Sequence, residues 1–222
     1  FVSLGTAQVA AITSNQASQL NTSVAAAIAT AQVAALSSLQ LRELSTSATS
    51  AIGTSAISRL SSSQAAGLTS EQLAAMRTTQ VASLSSTQLN ALTGTQVSNL
   101  GTAQIVALTT AQVAGLGTLQ SSALTTSQAL SIEVQDLASL STEAVRALDS
   151  SVVAEITTQQ VRALTSAQFS NLRTQQLAAL GYGQINAIDS SQFLLFTSSQ
   201  VAALTQVQIL AINSETIGAL SS

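Results

Sequence analysis

Residues 108–116 read LTTAQVAGL and show, in nearly pure form, an eight-residue unit that recurs along the whole chain. From Leu4 in steps of eight to Leu220, every residue is Leu, Ile, Met or Phe, and we call these positions the Leu column. The residue four places after each of them is Gln in 20 of 27 octads (the Gln column), and a mostly apolar residue follows it (the Val column). Because every segment repeats this octad, the octad determines the fold. Representative positions of the first two columns are Leu68, Gln72, Leu108, Gln112, Leu164 and Gln168.

The octad predicts a short helix. One continuous helix is excluded, because each octad would rotate the Leu stripe by about 80° around the helix axis. The chain must therefore bend once per octad. With Thr69 as N-cap, Gln72 lies at N3 and completes a capping box, while Leu68 at N′ can contact Leu73 at N4 as a hydrophobic staple. Ala and Gln, which fill much of the octad, are also better helix than strand formers.

Such short helices are unstable alone and need neighbours, so the sequence predicts an all-α solenoid with one helix per octad. Two or three helices per coil are both compatible with the spacing. A β-solenoid with one short strand per octad is the alternative, although its two main apolar columns, five residues apart, would then point to opposite faces. We expect a single uninterrupted array over residues 1–222, cut from a longer one, since the octad runs from Leu4 to Leu220 without a polar terminal repeat.

The Gln column has two structural interpretations. In the first, each Gln side chain returns to the backbone N–H of its own N-cap residue, as in a capping box. In the second, the Gln amides form a ladder of hydrogen bonds from coil to coil along the solenoid axis, since an amide both donates and accepts.

Composition excludes most chemistry. The chain has no Cys, His, Pro or Trp, and its charged residues are six Arg and nine acidic side chains. Without Cys or His there is no catalytic triad, thiol chemistry or zinc site, so we expect no enzyme activity, no cofactor and no bound metal. The net charge of -3 argues against nucleic-acid binding. Apolar runs such as residues 24–29 are far below the ~20 residues of a membrane span, which argues against membrane insertion.

Acidic residues concentrate in one stretch, where the Gln column also lapses. A cation or partner patch is one interpretation; a diverged segment whose charges are solvated or pair locally is the other. Three of the four Phe are expected to fill the core, since Phe169 and Phe193 lie in the Val column and Phe196 in the Leu column. Tyr182 replaces a Ser or Thr and is a candidate surface contact. The candidate partner contacts are Glu133, Asp136, Glu143, Arg146, Asp149, Glu155 and Tyr182.

The segments LTSEQLAAM at residues 68–76 and LTTAQVAGL at residues 108–116 resemble the LTxxQVxAL-type repeat arrays of very large bacterial secreted and cell-surface proteins, often labelled adhesion or haem-utilisation exoproteins. The resemblance implies a structural spacer or stalk in a secreted or cell-surface bacterial protein. The alternative function is a solenoid binding module that holds a peptide or glycan of a host or cell-surface molecule on its concave face. Haem ligation by His or Cys is excluded by composition.

Overall fold

The computed structural model describes residues 3–212 and 216–218, and these residues contain helices and no strand. Twenty-six helices of four to six residues lie between Thr6 and Ala211, one per octad. The all-α prediction is confirmed, and the alternative of one strand per octad is wrong for the described residues.

The chain divides into two compact units, Phe1–Gly115 and Leu116–Ser222. The octad spacing does not change at this boundary, because Leu116 itself belongs to the Leu column. The prediction of one uninterrupted array over residues 1–222, cut from a longer one, stays a prediction. The helices of the first unit are α1 (Thr6–Ala10), α2 (Ser14–Ser18), α3 (Thr22–Ala27), α4 (Thr30–Ala35), α5 (Ser38–Arg42), α6 (Thr46–Ala51), α7 (Thr54–Ile57), α8 (Ser62–Gly67), α9 (Ser70–Ala75), α10 (Thr78–Val81), α11 (Ser86–Asn90), α12 (Gly94–Ser98), α13 (Thr102–Val106) and α14 (Thr110–Ala114). Those of the second unit are α15 (Thr118–Ser122), α16 (Thr126–Ser131), α17 (Val134–Ser139), α18 (Thr142–Ala147), α19 (Ser150–Glu155), α20 (Thr158–Ala163), α21 (Ser166–Ser170), α22 (Thr174–Ala179), α23 (Tyr182–Asn186), α24 (Ser190–Phe193), α25 (Ser198–Ala202) and α26 (Gln206–Ala211).

Each helix begins at the second residue after a Leu-column residue and ends before the next one. In α9, the N-cap Thr69 is extended, with φ −74° and ψ 161°, and its side chain accepts a hydrogen bond from the backbone N–H of Gln72. The C-cap Met76 leaves the helix in an extended conformation with φ −64° and ψ 143°. An extended residue therefore lies at each end of α9 and turns the chain into and out of the helix. No described residue has a positive φ, so the bends do not require glycine.

Within each unit a helix packs on its third neighbour along the chain. In the first unit α3 contacts α6 and α6 contacts α9, and in the second unit α19 contacts α22 and α22 contacts α25. Three octads therefore complete one coil of 24 residues. This decides between the two coil sizes that the sequence left open.

The core of each unit consists of the Leu and Val columns. Leu68, Leu108 and Leu164 are all buried, and so are Val-column residues such as Leu73 and Leu177. Since each octad contributes one side chain of each column to the contact between coils, the apolar surface that no isolated helix could bury is covered by its neighbours.

The Phe side chains fill this core near the carboxyl end of the second unit, as the sequence predicts. Phe169 and Phe193 are buried, and Phe196 is half-buried between them. The Phe196 ring stacks on Phe193 with ring centroids 4.7 Å apart and on Phe169 at 6.2 Å. These aromatic rings replace the smaller Val and Leu side chains of other octads without breaking the eight-residue register.

Two glycines allow a close approach between coils. A Cβ at Gly67 would lie 2.7 Å from the Cβ of Ser38, and one at Gly115 would lie 2.6 Å from the Cβ of Ser86. The two serines also bond across the same contact, since Ser38 Oγ donates to Ser63 O at 3.0 Å and Ser86 Oγ to Ala111 O at 2.9 Å. The missing side chain is thus what lets these coils come together.

Candidate functional site

The most regular polar feature of both units is the Gln column, and Gln72 shows its geometry. Its Oε1 accepts the backbone N–H of Thr69 at 2.8 Å, while its own backbone N–H donates to Thr69 Oγ1 at 3.1 Å. Its Nε2 donates to the backbone oxygens of Leu44 at 2.7 Å and Leu41 at 2.8 Å, in the preceding coil. The side chain is only 1% exposed. One amide therefore caps its own helix and bonds the coil before it.

The bond to the residue 28 positions earlier recurs along both units, with Nε2 to O distances of 2.5 to 3.0 Å. In the first unit the donor and acceptor pairs are Gln32 and Leu4, Gln40 and Ile12, Gln64 and Leu36, Gln72 and Leu44, Gln80 and Ile52, Gln88 and Leu60, Gln96 and Leu68, Gln104 and Met76, and Gln112 and Leu84. In the second unit they are Gln160 and Ile132, Gln168 and Leu140, Gln176 and Leu148, Gln184 and Ile156, Gln192 and Leu164, Gln200 and Leu172, and Gln208 and Leu180.

Both sequence interpretations of the Gln column hold in part. The capping box forms as expected, and the same amide also connects successive coils. Its partner in the other coil is a backbone carbonyl and not a second Gln side chain, so the expected ladder of amide to amide bonds is wrong. The reason is that a carbonyl such as that of Leu44, in the bend after α5, lies beyond the hydrogen bonds of its own helix and needs an external donor. A primary amide supplies that donor while its oxygen still caps.

The Gln column lapses at the start of the acidic stretch, where Asp136, Ala144 and Val152 take its place. All three are buried. Ala144 and Val152 have no polar atom to donate, and the Oδ1 of Asp136 has no hydrogen-bond partner among the described residues. The burial of Asp136, which is 6% exposed, separates it from the other candidate contacts, which reach solvent.

The remaining acidic candidates are exposed and lie on three consecutive helices. Glu133 is the N-cap residue of α17, and its Oε2 accepts from Gln135 Nε2 at 2.8 Å. Glu143 lies in the first turn of α18, and Glu155 is the last residue of α19. Since successive helices form different sides of a coil, these carboxylates are not gathered in one place. Across residues 3–212 and 216–218, no group of three acidic side chains could hold a metal ion.

Asp149 has a structural position, because it caps α19. Its Oδ1 accepts the hydroxyl of Ser151 at 2.6 Å and the backbone N–H of Ser151 at 2.8 Å. These two bonds, the hydroxyl first, lower the pKa of the Asp149 carboxyl. Asp189 repeats the arrangement at α24, where the Ser191 hydroxyl at 2.7 Å and then the Gln192 backbone N–H at 2.8 Å lower its pKa. Both carboxylates act as helix caps.

Arg146 lies on α18 and lines an open groove with residues of the two following coils, among them Asn171 and Arg173 in the first and Thr197 in the second. Arg42 and Arg162 occupy the same octad position, in the last helical turn, and line comparable open grooves. These grooves are shallow surface features where two coils meet. They bring Arg146 close to Arg173, and do not bring it together with the acidic candidates Glu133 or Glu155.

Tyr182 is the first residue of α23 and is 57% exposed, as the sequence predicts.

A contact that the octad pattern did not predict is made by two arginines at N-cap positions. Arg77 Nη2 donates to Ile52 O at 3.2 Å, and Arg173 Nη2 donates to Leu148 O at 2.7 Å. The sequence feature that indicates these two contacts is an Arg at the N-cap position, where Ser, Thr, Gly, Asn or Asp is usual.

Stacked three-helix coils with one short helix per octad define an α-solenoid repeat protein. A family model described as the ALTTAQ repeat matches residues 68–102, 129–166 and 153–190, which include segments of both units. The comparison with curated proteins found no match. Across the described residues the helices are too short to cross a membrane, so no membrane span is present there.

Proposed function

We propose that the chain is a structural spacer or stalk, in which repetition supplies length and the contacts between coils supply stiffness. The single observation that carries this proposal is the Gln column. A buried Gln amide such as that of Gln72 bonds through its oxygen to its own N-cap residue, Thr69, and through its nitrogen to Leu44 in the coil before it, and the second bond recurs in both units. A coil cannot tilt on its predecessor without breaking several such buried bonds, each of which is costly to leave unmade.

The exposed surface supports a spacer over a catalyst. It consists mostly of Ser, Thr, Ala and Gly, the charged residues are few, and the exposed carboxylates are spread over several helices. Catalysis by paired carboxylates requires two of them to face each other across a cleft. We therefore propose a role without enzyme activity.

We further propose that this spacer belongs to a large bacterial secreted or cell-surface protein with a role in adhesion. The support is the resemblance of its octads to the repeat arrays of such proteins. A chain without Cys needs no control of thiol pairing when it leaves the reducing cytoplasm. Fractionation of the source cells, with an antibody against the repeat, tests this location; recovery of the protein only in the cytosolic fraction would contradict it.

Stiffness can be measured within the first unit, because the chain has no Cys and accepts unique spin labels. Asn15, Ser63 and Thr87 are exposed and occupy the same octad position, with Ser63 two coils and Thr87 three coils after Asn15. Cys pairs at 15 and 63 and at 15 and 87 report distances across two and three coils by double electron–electron resonance. A spacer gives narrow distributions whose mean grows by a constant increment per coil.

The matched control for this measurement carries Gln72→Glu, which removes a bond between coils inside the labelled region. We expect its distance distribution to broaden. If the unmodified chain already gives distributions as broad as those in denaturant, the spacer proposal is wrong.

The second candidate function is a binding module for a peptide or glycan. The observation that favours it is the groove shared by Arg146 and Arg173, since paired guanidinium groups suit carboxylate-bearing ligands. Exposed Tyr182 could add an aromatic contact. Screening the chain and its Arg146→Ser variant on arrays of acidic peptides and sialylated glycans tests this function. Binding that the variant loses would favour the module, and equal absence of binding would favour the spacer.

A further inference from the structure

The Gln column is missing from one complete coil. It lapses at Asp136, Ala144 and Val152, which belong to three consecutive octads and therefore to the whole coil of α17, α18 and α19. Nowhere else in the sequence does the column lapse in three consecutive octads. We call these three helices the Gln-free coil.

The coil that follows the Gln-free coil is bonded to it in the usual way. The donor and acceptor pairs are Gln160 and Ile132, Gln168 and Leu140, and Gln176 and Leu148. The contacts of α18 and α19 with the helices before them, α15 and α16, lie within the second unit, and we call these two contacts the seam. The seam can therefore be compared directly with the contact that follows it.

Backbone oxygens at the seam lack the donor that a Gln supplies elsewhere. The spacing of 28 residues seen at Gln72 would pair Ala144 with the oxygen of Leu116. It would likewise pair Val152 with the oxygen of Leu124, but neither side chain carries a donor. No described residue donates a hydrogen bond to either of these oxygens. The seam is thus closed without the amide bonds that join the next coil.

The apolar contact at the seam is also reduced. In the Val column, α15 and α16 carry Ser121 and Ala129, whereas each of the six octads that follow carries Leu, Val or Phe. Both residues are buried, and the Oγ of Ser121 has no hydrogen-bond partner among the described residues. Ser and Ala bury less apolar area than Leu or Val, and a buried hydroxyl without a partner is destabilising.

The remaining cohesion of the seam is apolar. Ala144 and Val152 are buried, so the coils touch there in the folded chain. Apolar contact has no preferred direction and resists a tilt less than a set of buried hydrogen bonds does. When the seam opens, water can bond the oxygens of Leu116 and Leu124 and the Ser121 hydroxyl. Opening therefore recovers part of the free energy that it costs.

We propose that the seam is a joint built into the array, at which α15 and α16 part from α18 and α19 before any other contact between coils of the second unit opens. No helix has to unwind, because α16 and α18 keep their own N-cap bonds from Thr125 and Ser141. In a spacer, such a joint sets the place at which the array yields under load. That use rests on the proposed function, whereas the order of opening is a property of the chain itself.

Thiol labelling of the folded chain tests the order of opening, because the chain has no Cys of its own. Ser121→Cys places a buried thiol in the seam. Val145→Cys places one at the same octad position one coil later, where α18 packs on α21 and Gln168 bonds to Leu140. Without denaturant, we expect a thiol reagent to react with Ser121→Cys roughly tenfold faster, or more, than with Val145→Cys.

A repair variant tests the cause. Ala144→Gln supplies the missing amide and is expected to slow the labelling of Ser121→Cys roughly tenfold without changing that of Val145→Cys. Glu143→Gln is the matched control, since it adds the same side chain at the adjacent, exposed position of α18. It should leave both rates unchanged. If circular dichroism shows that Ala144→Gln loses its helices, Val152→Gln repeats the test at α16 and α19, with Ala129→Cys as the labelled site.

Three results would overturn the joint. They are labelling of Ser121→Cys that is no faster than that of Val145→Cys, no slowing by the repair variant that folds, and slowing by Glu143→Gln as strong as the repair. Equal rates at the two thiols together with narrow spin-label distances in the first unit reject the joint and keep the spacer. Faster labelling at the seam together with broad distances keeps the joint and rejects the spacer.

Discussion

The Nε2 of Gln72 donates a 2.7 Å hydrogen bond to the backbone oxygen of Leu44, 28 residues earlier in the chain. Twenty-eight residues are one coil of three octads plus the four residues that separate the Leu and Gln columns. The distance in sequence therefore records the coil size. The same side chain accepts the N–H of Thr69, so a single amide stabilises both the start of its helix and the stacking of two coils.

Replacing Gln72 by Glu should separate these two roles. The carboxylate keeps an acceptor for the Thr69 N–H, but it has no donor for the oxygens of Leu41 and Leu44. Because the side chain is buried, we expect a loss of about 3 kcal/mol in the free energy of unfolding. Urea denaturation followed by circular dichroism at pH 7 measures this change.

Gln16→Glu is the matched control for that substitution. Gln16 accepts the N–H of Thr13 in the same way, but it is exposed and its Nε2 donates to no carbonyl of another described helix. We expect a change below about 0.5 kcal/mol. Equal losses for the two variants would show that the Gln column acts through helix capping alone.

Gly67→Ala should destabilise the first unit because the added Cβ would lie 2.7 Å from the Cβ of Ser38. Alanine gains about 1 kcal/mol of helix propensity over glycine, but the overlap with the neighbouring coil is expected to cost 1 to 3 kcal/mol more than this. Gly53→Ala is the control, since nothing lies within 4 Å of its added Cβ. Thermal melting compares the two, and a smaller loss for Gly67→Ala than for Gly53→Ala would contradict the close contact.

Leu177→Ala in the Val column of the second unit should cost about 2 to 5 kcal/mol, because the side chain is fully buried between coils and its removal leaves a cavity. Leu119→Ala in the same unit removes the same atoms from a side chain that is 57% exposed. We expect less than about 0.5 kcal/mol for that control. Guanidinium denaturation of both variants decides whether the stability of the unit comes from the contact between coils.

The cap at Asp189 predicts a pH dependence. Bonds from the Ser191 hydroxyl and the Gln192 N–H lower the folded-state pKa of Asp189 below its usual 3.8. A lowered folded-state pKa means that folding favours the ionised carboxylate. The carboxylate therefore stabilises the fold at pH values above its unfolded-state pKa, and this stabilisation is lost as the pH falls through the folded-state pKa. Asp189→Ala should therefore lose about 1 kcal/mol at pH 7, and this difference should shrink as the pH drops below 3.8.

Asp189→Asn is the control for titration, because Asn accepts the same backbone N–H without ionising. Its stability relative to Asp189→Ala should stay constant between pH 7 and acid, as measured by melting temperature across that range. If the stability difference between the Asn and Ala variants instead falls with pH as much as the difference between the unmodified chain and the Ala variant does, the pH dependence arises from groups other than Asp189.

The sequence predicts the local structure closely. Three features of each octad depend only on contacts within about eight residues, as in Leu68 to Met76: the N-cap, the capping Gln and the bend. The repeated octad itself contains the residues that make these contacts. Exposure of Tyr182 and core placement of Phe169 follow from the same register. The candidate contact Asp136 was harder to place, because a Gln-column position is buried only when coils stack over it.

The eight-residue period, the hydrophobic staple and the capping box are enough to predict a regular array of short capped helices from the amino-acid sequence. The number of helices in a coil, three, is seen only in the three-dimensional arrangement. The three-dimensional arrangement also shows that Gln amides such as that of Gln72 reach a backbone carbonyl 28 residues earlier. The physical reason is that all octads carry nearly the same signal. Contacts between octads that look alike can be assigned only when their distances in space are known.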